Sequence, residues 1–287
     1  MAVAEDSIFY KLYKLSLPKL WLDIFLPLLI GAAGALNIFG SFSLLSFFIT
    51  VFASVIFVFT ANTWIKFFNK DSNLYHLIYY FYFYNSPTRN EVKFKNKFLL
   101  ITSIILTVIF FILTILSLSI SKYLFILIYI TILAFLIYIF LQLKRVDSFF
   151  DEFLIGLITG PFLISISFII QVSEFDFVVI LISLPISLLM INLRWVSQHK
   201  KNYSIRGFKV LLLFIYASFA VIFSYFNSII YLFLFTSIIF VIKKVSIKSN
   251  NLFYTNMNEI RNFSRKFYYY NSLLLAALLI IDYILKI

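Results

Sequence analysis

Apolar residues in this chain form long, continuous runs, and shorter polar segments separate them. A helix that crosses the hydrocarbon core of a bilayer needs about 20 apolar residues. Because the runs are continuous rather than alternating, they favour transmembrane helices over the strands of a membrane barrel. Nine spans are predicted, near residues 20–36, 42–64, 98–118, 123–143, 153–171, 177–194, 208–226, 228–243 and 268–286. We therefore expect an all-α integral membrane protein with a single transmembrane domain over residues 1–287.

The connections between the predicted spans alternate in length and in charge. Those at 37–41, 172–176 and 227–228 are short and carry no Lys or Arg. The other set is long and basic, and together with the N-terminal segment it holds 22 of the 24 basic residues. Lys122 and Lys286 are left for the opposite side. Because basic loops stay on the cytoplasmic side, this asymmetry predicts a protein of the cell membrane with its N-terminus inside and its C-terminus outside.

Composition supports a lipid environment and narrows the chemistry. Hydrophobic residues make up 63% of the chain and charged residues 13%, whereas a typical soluble domain has roughly 25% charged residues. The formal net charge of +12 follows from the basic inner loops, so we do not expect a nucleic-acid partner. The chain has no Cys, which excludes disulfides, a thiolate nucleophile and Cys-ligated metal centres.

Two stretches carry a resemblance to a known family. The first reads Leu17-Pro-Lys-Leu-Trp-Leu-Asp-Ile-Phe-Leu-Pro-Leu-Leu-Ile-Gly. The second reads Glu152-Phe-Leu-Ile-Gly-Leu-Ile-Thr-Gly-Pro-Phe, and Leu184-Pro-Ile-Ser-Leu-Leu follows it. They resemble the UbiA superfamily of intramembrane prenyltransferases, and most closely its dihydroxynaphthoate (menaquinone) branch. The resemblance implies a UbiA-like bundle of nine helices with an inside N-terminus, which agrees with the topology predicted from the charges.

The family's chemistry depends on two acid-rich motifs at the inner ends of helices two and six. Their carboxylates hold Mg²⁺, which binds the diphosphate of an isoprenoid donor. Here the first motif, Asn-Asp-x-x-Asp-x-x-x-Asp, keeps Asn62, but its acidic positions hold Thr63, Lys66 and Lys70. Two Lys in place of two Asp repel Mg²⁺ rather than bind it.

The second motif, Asp-x-x-x-Asp, falls on a segment that begins at His199 and ends at Tyr203. A shift of register does not restore it, because no Asp or Glu lies between Asp176 and Glu259. The resemblance therefore implies the family's fold without its metal chemistry. We expect no metal cofactor, and Mg²⁺ only if the site has been rebuilt from other carboxylates.

Three acidic residues on the inner loop before the fifth span are the candidates for such a rebuilt site: Asp147, Asp151 and Glu152. Asp147 and Asp151 are four residues apart, so a helical turn would bring them to one face. A solvated loop pair explains them equally, with Glu152 at a helix N-terminus, where acids are favoured.

Six polar residues near the inner ends of the spans are candidates for ligand or lipid contacts: Asp23, Asn192, Arg194, Lys200, Lys201 and Arg206. Asp23 lies just inside the first span, where an ionisable group is costly and usually faces a cavity or a partner, which here is either a ligand or Lys19. Arg194 either extends to the membrane surface or binds an anionic head group.

Three functions remain open from the sequence. The first is a UbiA-like protein that has lost prenyl transfer and binds an isoprenoid lipid or quinone, or serves as an accessory subunit beside other membrane proteins. The second is an active prenyltransferase with a divergent diphosphate site and an aromatic or glycerol-phosphate acceptor. The third is an unrelated transporter or membrane scaffold.

The predicted topology can be tested by labelling single cysteines, since the native chain has none. We expect a Cys at Ser41 to react with an impermeant reagent from the outer side, because the loop at 37–41 is on the side poor in basic residues. A Cys at Ser249 should react only from the inner side. Labelling of both positions from one side would contradict the topology.

Overall fold

The structure is a computed structural model that describes residues 8–16, 21–68, 96–118, 153–154, 156–198, 205–239, 241 and 257–287. In these ranges the backbone forms helices joined by short turns and no strand, so the all-α prediction is confirmed. The helices are α1 (Ile8–Leu15), α2 (Trp21–Phe39), α3 (Leu44–Phe68), α4 (Asn96–Leu118), α5 (Leu163–Val172), α6 (Val178–Gln198), α7 (Ile205–Phe226) and α8 (Met257–Lys286).

Two short helices of other kinds complete these elements. A π-helical turn, Ile158–Phe162, leads into α5, and a 3-10 helix, Ile229–Thr236, follows α7. The 3-10 helix corrects the expected α-helical start of the span at 228–243. It rises about 2.0 Å per residue instead of 1.5 Å, so its eight residues extend further along the bundle than an α-helix would.

Most predicted spans coincide with helices, although their ends differ. The last helix begins at Met257 rather than near residue 268, and α3 continues to Phe68 rather than ending near 64. The extension of the last helix runs through polar sequence, because a helix continues past the apolar stretch where its backbone hydrogen bonds remain satisfied. The predicted span at 123–143 lies outside the described residues.

Four helical segments in the described ranges are long and apolar enough to cross a membrane: Trp21–Phe39, Lys97–Leu116, Lys209–Phe226 and Asn262–Lys286. Four further apolar segments of 10–17 residues are Leu44–Thr60, Ile158–Val172, Val178–Leu193 and Ile229–Ile239. These helices are typical of a membrane protein, and the count of nine spans stays a prediction.

Helix α2 lies at the centre of the described bundle and packs against α5 and α8. Its approach to α5 is close because Gly31 has no side chain. A Cβ at Gly31 would lie 2.3 Å from the carbonyl oxygen of Ile164. One turn away, the hydroxyl of Ser167 donates a 2.6 Å hydrogen bond to the backbone carbonyl of Leu28. Small residues and buried hydroxyls are the features that hold helices together in lipid, where the hydrophobic effect contributes little.

The π-helical turn packs against α6 by the same means. Gly160 faces Ser187, and a Cβ at Gly160 would lie 1.9 Å from the hydroxyl oxygen of that residue. Pro161 has no N–H and so cannot complete the α-helical bond to the carbonyl of Leu157. The N–H of Leu163 instead reaches the carbonyl of Ile158, five residues back. The missing donor thus explains why the chain adopts a π turn here.

Contacts at both ends show that α2 and α8 run in the same direction. Near the start of α2, the hydroxyl of Tyr268 donates to the carbonyl oxygen of Asp23 at 3.4 Å. Near its end, the amide of Asn37 donates to the carbonyl oxygen of Leu279 at 2.7 Å. If every span crosses once, parallel first and last helices require an odd number of crossings, as nine would be.

Substitution of Gly31 tests the close approach of α2 and α5. We expect Gly31→Ala to lower the free energy of unfolding by about 1–3 kcal/mol, because the new methyl group forces two backbones apart. Gly34→Ala is the matched control on the same helix. Its Cβ would meet the flexible end of Ile182 at 3.3 Å and the ring of Phe168 at 3.7 Å, which is an ordinary van der Waals distance. Thermal unfolding in detergent should show a clearly lower midpoint for Gly31→Ala alone, and equal midpoints would contradict this account of the packing.

Candidate functional site

The buried polar residues of α8 lie on one stripe of the helix. Helical periodicity of about 100° per residue brings them to one face: Ser264, Tyr268, Asn271, Ser272 and Asp282. Polar groups are costly in contact with lipid, so such a stripe faces the interior of a bundle. This one packs against α2 and α6, and it forms a separate polar cluster at each end of α2.

The first cluster, called the Asp282 cluster, comprises Asp282, Asn37, Tyr231 and Lys286. The carboxylate oxygen Oδ2 of Asp282 accepts hydrogen bonds from the amide of Asn37 at 3.0 Å and from the hydroxyl of Tyr231 at 3.3 Å. The ammonium of Lys286 lies 2.7 Å from the same oxygen and also donates to Oδ1 of Asn37 at 3.3 Å. One buried carboxylate therefore ties together α2, the 3-10 helix and α8.

The Asp282 cluster has the properties of a structural joint. Asp282 is 3% exposed and has a donor from each neighbouring element. Lys286, which is half exposed, also covers the ring of Phe226 at 5.5 Å from its centroid. A buried charge that is fully paired in this way holds elements in one arrangement, and its acceptor is already used within the protein.

The second group, called the Asp23 layer, consists of buried polar residues that register places within about one helical turn of the level of Asp23: Asp23, Asn192, Ser264, Asn271 and Ser272. Asp23 is 2% exposed near the start of α2. The hydroxyl of Tyr269 forms a hydrogen bond to its carboxylate, and the guanidinium of Arg265 lies near enough to act on it electrostatically. The charge of Asp23 is thus balanced from α8.

Helical register places Asn192 at the level of Asp23. Gly34 of α2 faces Ile182 of α6, with 3.3 Å between the side-chain end of Ile182 and a Cβ built at Gly34. The two helices run in opposite directions. Helix α2 is parallel to α5, because Gly31 faces Ile164 and Gly34 faces Phe168. Helix α6 is antiparallel to α5, because Gly156 faces Ile191 and Gly160 faces Ser187. Ten residues from this contact correspond to about 15 Å along each helix, which brings Asn192 level with residue 24.

The Asp23 layer differs from the Asp282 cluster in its unused hydrogen-bonding capacity. Five buried side-chain oxygens find no partner among the described residues: Oδ1 of Asp23, Oδ1 of Asn192, Oδ1 of Asn271 and the Oγ atoms of Ser264 and Ser272. Burial of an unpaired polar group costs roughly 1–3 kcal/mol. Native proteins keep few such groups, so each of these oxygens needs an explanation, such as an ordered water or a bound group.

The structure separates the candidate residues predicted from the sequence. Helical register places Asp23 and Asn192 at the same level of the bundle, and Thr63 lies on α3. Thr63 is fully buried, and its hydroxyl donates to the carbonyl oxygen of Thr60 at 2.8 Å. Asn62 and Lys66 also belong to α3, Arg194 to α6 and Arg206 to α7. Outside the described residues lie Lys70, Asp147, Asp151, Glu152, His199, Lys200, Lys201 and Tyr203.

Sequence reasoning missed the contribution of α8. The segment that begins at Ser264 and ends at Ser272 supplies three oxygens of the layer and the hydrogen bond from Tyr269 to Asp23. The signal that could have found it is the set of small polar residues Ser264, Asn271 and Ser272, which helical periodicity places on one face of α8. Proximity to Asp23 could not be deduced, because α2 and α8 are more than 200 residues apart.

Metal-ligand geometry is not seen in the part of the chain that the structure describes. No group of three or more His, Asp or Glu side chains there could hold a metal ion. Comparison with models of known protein families and with curated proteins found no match. A functional proposal therefore rests on the sequence and on the contacts of the described residues.

Removal of each partner of the Asp282–Lys286 pair should have unequal effects. We expect Asp282→Ala to lower the free energy of unfolding by about 2–4 kcal/mol, because it leaves Asn37 and Tyr231 without their acceptor. Lys286→Ala should cost no more than about 1 kcal/mol, since half of that side chain is exposed to solvent. Chemical or thermal unfolding in detergent measures both, and equal losses would refute the role of Asp282 as a joint.

Proposed function

We propose that this protein is a UbiA-like membrane protein that has lost Mg²⁺-dependent prenyl transfer and binds an isoprenoid lipid or quinone. In this proposal it has nine spans in the cell membrane, with the N-terminus inside and the C-terminus outside. It acts alone as a lipid binder or as an accessory subunit beside other membrane proteins.

The observation that carries the proposal is the burial and the hydrogen bonding of Thr63. This residue stands where the resemblance implies the first metal-binding carboxylate. Its side chain is fully buried, and its hydroxyl is committed to its own helix through Thr60. Lys66 and Lys70 occupy the other acidic positions. A diphosphate held through divalent cations needs carboxylates close together, and neither a threonine hydroxyl in this setting nor lysine provides them.

Two further observations support the bundle and its topology. The parallel α2 and α8 agree with an odd number of crossings, and basic residues gather on one side of the predicted spans. The glycines of the two resembling stretches also have a packing role. Gly31 lies against α5, and Gly160 lies against α6. The stretches that carry the resemblance are thus the ones that set contacts between helices.

The two competing functions make different demands. An active prenyltransferase requires a rebuilt metal site, for which Asp147, Asp151 and Glu152 are the candidates. A transporter requires a site whose occupancy is coupled to movement of the helices, and paired buried acids are its usual sign in proton-coupled carriers. Among the described residues, the buried acids Asp23 and Asp282 lie in different clusters and do not pair.

A direct assay separates loss of catalysis from a rebuilt active site. Purified protein is incubated with a long-chain prenyl diphosphate, Mg²⁺ and an aromatic or glycerol-phosphate acceptor, and the release of diphosphate and the retention of lipid are measured. We expect retention of the lipid without release of diphosphate, because the leaving group lacks its metal ions.

Release of diphosphate that a chelator abolishes would contradict the proposal and favour the active enzyme. The variant Asp147→Asn with Asp151→Asn and Glu152→Gln would then lose that activity if those residues form the site. Failure to retain any prenyl lipid or quinone would instead favour a scaffold or a transporter. An accessory role is tested by purification from native membranes, where partner subunits should remain associated in mild detergent.

A further inference from the structure

We propose that the 3-10 helix Ile229–Thr236 is a conformational switch, which side-chain hydroxyls hold in its extended form and which relaxes to an α-helix when their bonds open. Four residues supply these hydroxyls, and we call them the hydroxyl latch: Tyr216, Thr236, Ser237 and Tyr270. The proposal concerns contacts within the chain, so it does not depend on the identity of a bound lipid.

The local sequence does not account for a 3-10 helix of this length. Runs longer than three or four residues are uncommon, because the hydrogen bonds of a 3-10 helix have poorer geometry than those of an α-helix. This segment has eight residues, and its sequence, Ile-Ile-Tyr-Leu-Phe-Leu-Phe-Thr, contains neither Pro nor Gly. The π turn, by contrast, contains Pro161. Contacts with neighbouring helices therefore hold the 3-10 form.

The buried face of the segment follows the periodicity of a 3-10 helix. Tyr231, Leu234 and Ser237 are fully buried and three residues apart, whereas Leu232 and Phe233 between them are exposed. Residues three apart eclipse one another in a 3-10 helix, so this stripe forms a straight line against α7 and α8. In an α-helix the same stripe would turn by about 60° at each step of three residues.

The beginning of the segment is fixed to α7 and α8. The turn at 227–228 connects it directly to α7, and the backbone N–H of Tyr231 donates to the carbonyl oxygen of Ser228 at 3.1 Å. The ring of Tyr231 stacks on that of Phe226 with 5.0 Å between the centroids, and its hydroxyl donates to Asp282. A change of helix type is therefore expressed at the other end of the segment.

The hydroxyl latch holds that other end. The hydroxyl oxygens of Ser237 and Tyr216 are 3.1 Å apart, and those of Thr236 and Tyr270 are 3.0 Å apart. The hydroxyls of Thr236 and Ser237 also donate to carbonyl oxygens of their own segment. Both can therefore separate from the tyrosines without losing every hydrogen bond.

An α-helix could not keep both ends in place. Between Tyr231 and Thr236 it would be about 2.5 Å shorter, because an α-helix rises about 0.5 Å less per residue. It would also turn Thr236 by about 100° relative to Tyr231, since each residue contributes about 100° instead of 120°. With Tyr231 in place, the bonds of Thr236 to Tyr270 and of Ser237 to Tyr216 would break. The closed latch and the α-helical form therefore exclude one another, as the two states of a switch do.

The latch can be reached from the membrane, and its opening acts on the chain beyond it. The bond between Thr236 and Tyr270 is exposed, so a polar group within the membrane can compete for it. The residues after Thr236 lead to Lys243 and Lys244, which the charge pattern predicts on the inner side. Relaxation draws this part of the chain towards the turn at 227–228 and so transmits the opening of the latch to the inner side.

Distances between spin labels test the switch in the full chain, which has no native Cys. The first pair of labels is attached through Ile239→Cys and Ile284→Cys, and the second through Ile239→Cys and Asn262→Cys. All three positions are exposed. Because the segment is antiparallel to α8, Ile284 lies near its beginning and Asn262 beyond its end.

The double variant Tyr216→Phe with Tyr270→Phe removes the latch hydroxyls of the tyrosines and keeps both rings. We expect the first distance to shorten and the second to lengthen, each by about 2–3 Å, because residue 239 moves towards the turn. Pulsed electron paramagnetic resonance in lipid nanodiscs measures both distances. Thr236→Val with Ser237→Ala opens the latch from its other side and should give the same changes.

Tyr225→Phe is the matched control on α7, since it removes an exposed tyrosine hydroxyl outside the latch and should leave both distances as they are. Opposite changes of the two distances in either latch variant support the switch. Unchanged distances in both variants would overturn it, as would changes of the same sign, which indicate a tilt of the segment. Loss of defined distances in both variants would also overturn it, because the hydroxyls would then support the fold itself.

Discussion

The parallel pairing of α2 with α8 is the contact on which the described bundle depends. It brings the first and last predicted spans together over their whole length, from Asp23 at one end to Asn37 at the other. In lipid, polar groups inside a bundle strongly influence which helices pair, because each must find a partner away from the hydrocarbon. The polar stripe of α8 meets this requirement by packing against α2, and the remaining helices pack around the pair.

The buried acids at the two ends of this helix pair differ in their hydrogen bonding. Asp282 has donors from Asn37, Tyr231 and Lys286. Asp23 keeps one oxygen without a partner among the described residues, and unpaired oxygens of α6 and α8 lie in the same layer. One end therefore contributes stability, while the other retains hydrogen-bonding capacity at a cost in stability.

The helical class could be predicted from continuous apolar runs, because a transmembrane helix satisfies its own backbone and depends little on distant residues. Asp23 was recognisable as a candidate from its depth in the first span. Its relation to Tyr269 was not, since that depends on which helices meet and at what register. The 3-10 helix after residue 228 also escaped prediction, because its sequence is as apolar as that of an α-helix.

The π turn before α5 has a geometric consequence for the face that this part of the chain presents. A π turn holds one residue more than an α turn, so residues before Ile158 are rotated by about 100° relative to those in α5. This phase shift lets Gly156 and Gly160 face α6 while Ser167, further along, faces α2. One stretch of helix thereby contacts two neighbours that lie on different sides of it, and without the extra residue of the turn it could not keep both contacts at once.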